Sequence, residues 1–248
     1  MARPPPVTPS PAPMAPIIAF DIETCPLPVE GLGPRARRRL DLLVARAARQ
    51  ARLDGAPPEA DPSAAEAERR RHAGSLHGVL GWICCATFVR LGRDGEPCAP
   101  RSFTAATPET EAGLLAELWA TLGRLPRTVR WVSFYGKTFD AEFLATRSIA
   151  HGLVPSRPDL LHRHPYVHTP HLDLASVWRR SDMGLADACE LLGLASPKTV
   201  PGPTGEAEFD GSGVAAAVAC GRLADVVAYC ERDAVATLHL YRALAPYL

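Results

Sequence analysis

The stretch PIIAFDIET, from Pro16 to Thr24, constrains the fold more than any other part of the sequence. Its β-branched and aromatic residues predict a buried strand. Side chains alternate along a strand, so Asp21 and Glu23 share one face, while Phe20 and the neighbouring isoleucines share the other. Two carboxylates on one face of a buried strand repel each other and lose hydration, and therefore predict a cation between them. The alternative is a strand that ends at Phe20, but Ile22 continues the alternation.

A long amphipathic helix is predicted at the other end of the chain, from Gly221 to Leu248. Its apolar residues recur at a spacing of three to four, which gives a helix one buried face. They are Leu223, Val227, Cys230, Ala234, Leu238 and Tyr241. Tyr229 and Asp233 are four residues apart and lie together beside this stripe. A Tyr and an Asp at this spacing often occur by chance, but the two acids of the first strand strengthen the interpretation of this pair as part of a functional site.

The middle of the chain predicts further strands and helices of an α/β domain. The strands are expected at Val79–Arg90, Arg101–Ala105, Thr128–Tyr135 and His171–Leu174, the last with Asp173 beside it. Helices are expected at Pro108–Leu122, from Phe139 onward, and at Gly184–Leu194. Asp140 falls in the first turn of the helix after a core strand, where a carboxylate is often only a helix cap.

The segment from Pro34 to about His77 is rich in Arg and Ala and predicts two surface helices separated by a turn at Gly55 to Pro62. Its arginines are interpreted either as a basic arm for phosphates or as the solvated side of a helical insertion. Residues 1–16 carry seven prolines and predict a disordered tail, and residues 197–213 form a Gly/Pro-rich loop. Residues 17–248 are expected to form a single domain, with 34–77 as its helical insertion.

Charge and cysteine usage exclude several classes of protein. The formal net charge is zero and the pI is about 7.1, so a polyanion must be met by a local patch or by bound metal. Seven cysteines without a Cys-x-x-Cys pair predict reduced, mostly buried thiols. The loop from 155 to 170 and His171 hold four histidines, for which a polar loop near substrate is favoured over a zinc site. With no membrane-length apolar run and no basic-then-apolar N-terminus, a soluble cytoplasmic protein is expected.

Taken together, the acids on the first strand, after a later strand and on the last helix resemble the DEDD superfamily of 3′–5′ exonucleases. Asp21-Ile-Glu23-Thr resembles the first motif, Phe139-Asp140 the second, and Tyr229-x-x-x-Asp233 the third in its tyrosine form. The histidine form would place His where Ala228 stands. The sequence is therefore similar to the DEDDy branch, and within it to predicted exonucleases related to the proofreading domain of family-B DNA polymerases. The similarity runs from about Ile17 to Leu244.

The resemblance implies a ribonuclease H-like fold, in which a mixed five-stranded sheet is flanked by helices. It also implies two Mg²⁺ or Mn²⁺ ions, which activate water and stabilise the departing 3′-oxygen. Their ligands would be Asp21, bridging both ions, with Glu23 and Asp233 on the ion that holds the nucleophile and Asp140 on the other. Tyr229 would orient the attacking water, because a phenol with a pKa near 10 is a poor base at neutral pH.

Further residues are expected to contact the 3′ end of a single strand. They are Thr24, Tyr135, Lys137, Phe139 and Lys198. Lys137 and Lys198 are the only lysines of the chain, and both flank motif segments. Tyr135-Gly136 stands where the family usually has Asn-Gly.

The expected activity is metal-dependent 3′–5′ exonucleolysis of single-stranded nucleic acid, with DNA favoured. One alternative is a ribonuclease D-like exoribonuclease, and another is an inactive nucleic-acid-binding or scaffold protein of the same fold.

Overall fold

The computed structural model describes residues 15–57, 59–181, 183–198 and 210–248. The predicted N-terminal tail and most of the Gly/Pro-rich loop lie outside these residues. The strands are β1 (Ile17–Pro26), β2 (Gly81–Arg90), β3 (Arg101–Thr104), β4 (Arg130–Ser133) and β5 (His171–Asp173). The α-helices are α1 (Pro34–Leu53), α2 (Pro62–Ser75), α3 (Glu111–Leu122), α4 (Asp140–Ala150), α5 (Leu185–Leu191), α6 (Val214–Ala219) and α7 (Leu223–Leu244).

The strands form one mixed sheet in the order β3-β2-β1-β4-β5. β2 pairs antiparallel with both β1 and β3, whereas β4 runs parallel to β1 and β5 runs parallel to β4. The acid-bearing strand is therefore the centre of the sheet. The predicted ribonuclease H-like architecture, a five-stranded mixed sheet flanked by helices, is confirmed.

The two faces of β1 separate as the alternation predicts. Ile18 and Phe20 pack in a cluster that includes Leu118 of α3, whereas Ala19 packs in a second cluster with Leu238 of α7. Burial of each large apolar side chain, such as Ile18, Phe20 or Leu238, stabilises the fold by about 1.5–3 kcal/mol. Because α7 covers the Ala19 face, it lies on the side to which Asp21 and Glu23 also point.

The helices after β1 form a hairpin joined by an ion pair. Arg70 Nη1 of α2 lies 2.8 Å from Asp41 Oδ1 of α1. α2 begins after Asp61, whose carboxylate accepts hydrogen bonds from two backbone amides of the first turn. Leu40 of α1 packs in a small cluster with Leu80, which precedes β2. The two predicted helices and the turn between them are therefore observed.

Element ends differ from prediction where local chemistry intervenes. The last helix stops at Leu244 and gives way to a short 3₁₀ turn, Ala245–Tyr247, because Pro246 cannot donate the next helical hydrogen bond. β4 ends at Ser133, because Tyr135 adopts a left-handed conformation (φ 61°) that cannot continue a strand. Among the described helices, none is both long and apolar enough to cross a bilayer.

Candidate active site

Two carboxylates project from the central strand. Glu23 is buried and Asp21 is half-buried. The β1–β2 register shifts between Glu23 and Thr24, immediately after the second acid. A ligand atom of each acid and Cys230 Sγ all lie within 4.8 Å of one another. The strand thus delivers two oxygen donors to one small volume.

Asp140 joins them from the first residue of α4. Its Oδ1 accepts a hydrogen bond from the backbone N–H of Ile22 at 3.1 Å. Asp140 is the first residue of α4 and follows the N-cap position, which Phe139 occupies. Its carboxylate is buried and held against β1 by the Ile22 amide, a contact that a helix cap alone would not make.

The turn that carries Asp140 is fixed by close packing and by Asp173. A Cβ on Gly136 would lie 2.4 Å from Ser133 Cβ, so only glycine fits there. Asp173, at the end of β5, accepts hydrogen bonds from the backbone N–H groups of Tyr135 (2.9 Å) and Lys137 (3.1 Å). Asp173 was expected beside β5 without a role, because no side-chain pattern in the sequence indicates its hydrogen bonds to the backbone of the turn.

Tyr229 and Asp233 come from α7 and are both buried, as their spacing beside the apolar face predicted. A hydrogen bond from the Tyr229 hydroxyl favours the charged form of Asp233. Asp233 Oδ1 is buried and accepts no hydrogen bond from the described residues. A buried carboxylate oxygen without a donor is costly unless a cation reaches it.

Burial raises the pKa of all four carboxylates, and the charges of neighbouring acids add to the rise for Asp21, Glu23 and Asp140. Burial raises the pKa of Asp21 well above its usual range, and the charges of Glu23, Asp140 and Asp233 raise it further. Burial and then the Asp233 charge do the same to the pKa of Glu23. Burial raises the pKa of Asp140 to about 8 and that of Asp233 to about 6, the latter opposed by the positive charge of Lys198. Such a cluster keeps its charge only when a strong cation is present.

The donor set fits hard divalent cations. Among the described residues, none of the four acids forms an ion pair with Lys, Arg or His, and Asp233 Oδ1 accepts no hydrogen bond from them. Carboxylate oxygens are the donors that Mg²⁺ and Mn²⁺ prefer. Cys230 was interpreted from sequence as a core residue, but its Sγ lies 3.4 Å from Asp21 Oδ2. Burial raises the pKa of this thiol, so it is a protonated donor to Asp21 and not a thiolate ligand.

The predicted substrate residues separate into different environments. Lys198 is close enough to Asp233 to lower its pKa, and Tyr135 keeps 40% of its surface exposed. Lys137 is buried, and its Nζ donates to the carbonyl oxygens of His164 (2.9 Å) and Val167 (2.5 Å). The ammonium of Lys137 therefore holds the histidine-rich loop in place through these two hydrogen bonds. This corrects the expectation that Lys137 contacts a substrate phosphate.

The remaining two predicted contacts lie beside Glu23. Thr24 Oγ1 donates to Ser75 O at 2.7 Å, and the Phe139 ring packs against Phe143 with ring centroids 5.5 Å apart. His171, from the histidine-rich stretch, is buried and its Nε2 lies 2.7 Å from Ser133 Oγ, so it belongs to the core of the sheet edge.

Comparison with known proteins places the chain in a family. Residues 83–245 match the family described as a predicted 3′–5′ exonuclease related to the exonuclease domain of PolB. The match contains Asp140, Tyr229 and Asp233, while Asp21 and Glu23 lie before its start. No curated protein sequence matches the chain.

Two solved structures are similar to the chain over most of its length. The family B DNA polymerase of the hyperthermophilic archaeon Pyrobaculum calidifontis is similar over 95% of this chain, with 16% identity and a TM-score of 0.58. E. coli Exonuclease I in complex with an oligonucleotide is similar over 94% of this chain, with 13% identity and a TM-score of 0.41. The chain spans 25% of the polymerase and 41% of Exonuclease I. Because the family match covers about two-thirds of the sequence, the chain belongs to the family of predicted 3′–5′ exonucleases related to the exonuclease domain of PolB.

Proposed function

We propose that this exonuclease is metal-dependent and removes nucleoside monophosphates from the 3′ end of single-stranded DNA. The observation that carries the proposal is that the carboxylates of Asp140 on α4 and Asp233 on α7 lie within electrostatic reach of Asp21 and Glu23 on β1, with Asp233 Oδ1 buried and lacking a donor among the described residues. Buried carboxylates that repel one another in this way are typical of a site that binds cations.

Asp21, Glu23, Asp140 and Asp233 would hold two divalent ions. When bound, such ions generate hydroxide from water and stabilise the leaving 3′-oxygen of a phosphodiester. The protein's own contribution is to hold the four acids in place, and the bound cations would keep them deprotonated. Asp140 is fixed by the Ile22 amide, and the turn that carries it is fixed by Asp173.

Tyr229 acts on the attacking water by position. Burial and the neighbouring charges of Asp233, Glu23 and Asp21 raise the pKa of the phenol above its ordinary value. The hydroxyl therefore stays protonated at neutral pH and orients water without removing its proton. Lys198, whose positive charge reaches Asp233, is the lysine that we assign to a substrate phosphate.

DNA is favoured as substrate because the family is defined by its relation to the exonuclease domain of a DNA polymerase. Matched DNA and RNA oligonucleotides test this preference, since only RNA presents a 2′-hydroxyl. Faster degradation of the RNA would instead support the exoribonuclease alternative.

The test of the proposed function is degradation of 5′-labelled single-stranded DNA by wild type and by Asp21→Ala, with Mn²⁺ and with EDTA. A descending ladder is expected from the wild type alone, and EDTA should abolish it. A scaffold protein would be favoured instead if the wild type leaves both DNA and RNA oligonucleotides intact and if Mn²⁺ does not raise its melting temperature.

A further inference from the structure

A cavity of about 260 Å³ opens beside Glu23, and the α1–α2 hairpin forms one of its walls. On the side of the sheet it is lined by Glu23, Thr24 and Phe139. The hairpin side presents Arg71 and His72 of α2. Cationic and hydrogen-bonding side chains of this hairpin therefore face the same space as a proposed metal ligand.

The end of α2 packs closely against the end of β1, so this wall of the cavity is held in a fixed position. A Cβ on Gly74 would lie 2.6 Å from Pro26 Cβ, and one on Gly81 would lie 2.6 Å from Gly74 O. Only glycine allows so close an approach of backbones. The hydrogen bond from Thr24 Oγ1 to Ser75 O adds a second attachment, next to Glu23.

The arginines of α2 differ in what they contact. Arg70 pairs with Asp41 of α1 and with Glu66, and Arg69 pairs with Glu59, away from the cavity. Arg71 pairs only with Glu68 among the described residues, and both side chains are about half exposed.

An exposed pair of this kind is worth only about 0–1 kcal/mol. Bidentate contact of an arginine with a phosphate is stronger, so a phosphate can replace Glu68 as the partner of Arg71.

We propose that Arg71 and His72 bind the terminal nucleotide, as part of the strand before cleavage and as a nucleoside 5′-monophosphate afterwards. The proposal rests on the proposed exonuclease function, because it assumes that a nucleotide is delivered to Glu23. The hairpin then forms part of the substrate site, and its other arginines hold it together.

The test measures inhibition by dAMP and the KM for a short single-stranded oligonucleotide. Arg71→Ala/His72→Ala should weaken dAMP inhibition and raise KM by about tenfold, equivalent to about 1.4 kcal/mol. Arg46→Ala is the matched control, since it removes an arginine from the exposed side of α1, outside the cavity and outside the ion pairs of the hairpin. Glu68→Gln should act in the opposite direction and tighten dAMP binding, because it removes the competing carboxylate.

The proposal is overturned if the Arg71/His72 variant equals Arg46→Ala in both measurements, or if Glu68→Gln weakens dAMP binding. If the wild type degrades the oligonucleotide but these variants behave alike, only the proposed role of the hairpin is rejected. Wild type that degrades nothing and does not bind dAMP in the presence of Mn²⁺ would reject both proposals. Glu68→Gln leaves every cavity-lining cation in place, so it decides the question if the double variant does not fold.

Discussion

Asp140 Oδ1 accepts the backbone N–H of Ile22, a residue 118 positions earlier in the chain and the one between Asp21 and Glu23. This hydrogen bond holds the first residue of α4 against β1, next to the two acids of the strand. The same carboxylate is thus both a proposed metal ligand and the acceptor that satisfies a buried amide. Its two roles can be separated by substitution.

Asp140→Asn should abolish activity without unfolding the protein. The amide carbonyl still accepts the Ile22 N–H, while the lost charge removes a ligand and reduces repulsion among the buried acids. We expect kcat to fall by about a thousandfold, since a metal ligand contributes several kcal/mol. The melting temperature in EDTA should not fall. Asp140→Ala is the comparison, because it leaves the backbone N–H of Ile22 without an acceptor and should lower the free energy of unfolding by about 1–3 kcal/mol. Full activity of Asp140→Asn would remove Asp140 from the site.

Tyr229→Phe should slow catalysis and leave metal binding intact. The substitution removes only the hydroxyl, which donates to Asp233 and which we propose orients the attacking water, and it keeps the buried ring. We expect kcat to fall by about 10²-fold, as for the loss of a positioned proton-transfer or water-orienting group. The rise in melting temperature on adding Mn²⁺ should persist, unlike in Asp233→Asn. Equal loss of that rise in both variants would show that Tyr229 holds the metal site together instead.

The architecture and the positions of three of the four acids could be predicted because they left a periodic trace, whereas Asp140 was recognised only through the family resemblance. Alternation placed Asp21 and Glu23 on one face of β1, and the spacing of four placed Tyr229 beside Asp233. Glycine and proline marked the turn between α1 and α2. These signals are local, so they survive in a single sequence.

What could not be predicted depends on contacts between distant segments. Cys230 had the pattern of a core residue, and only the packing of α7 on β1 brings its thiol to Asp21. Lys137 flanks a motif, yet its ammonium reaches two carbonyl oxygens of the histidine-rich loop. Asp173 organises the turn after β4 through hydrogen bonds to backbone amides, which no side-chain pattern records.

Tyr135→Asn should stabilise the protein. Tyr135 has φ 61°, a left-handed conformation that costs a residue with a large side chain about 1–2 kcal/mol and that Asn tolerates. We expect a gain of about 1 kcal/mol, or about 2–4 °C in melting temperature for a domain of this size. Tyr247→Asn, a substitution of an exposed tyrosine without positive φ, is the control and should change little. A lower melting temperature for Tyr135→Asn would show that the ring's packing on Phe134 outweighs the strain.

His171 should make the protein sensitive to acid. It is fully buried beside Ser133, and burial lowers its pKa from 6.5 to about 3. Between these values the unfolded chain binds a proton that the folded protein does not, so the free energy of unfolding falls as the pH falls below 6.5. Between pH 6.5 and pH 5 this amounts to about 2 kcal/mol.

The measurement is the free energy of unfolding of wild type minus that of His171→Gln, from urea titrations in EDTA at several pH values. Gln cannot titrate, and both proteins share the acidic cluster, whose raised pKa values act in the opposite direction and cancel in the difference. The stability advantage of wild type should therefore shrink by about 2 kcal/mol from pH 6.5 to pH 5. His168→Gln, in the exposed part of the loop, should show no comparable trend. Parallel curves for wild type and His171→Gln would mean that His171 titrates normally in the folded protein and that its burial is not what limits stability in acid.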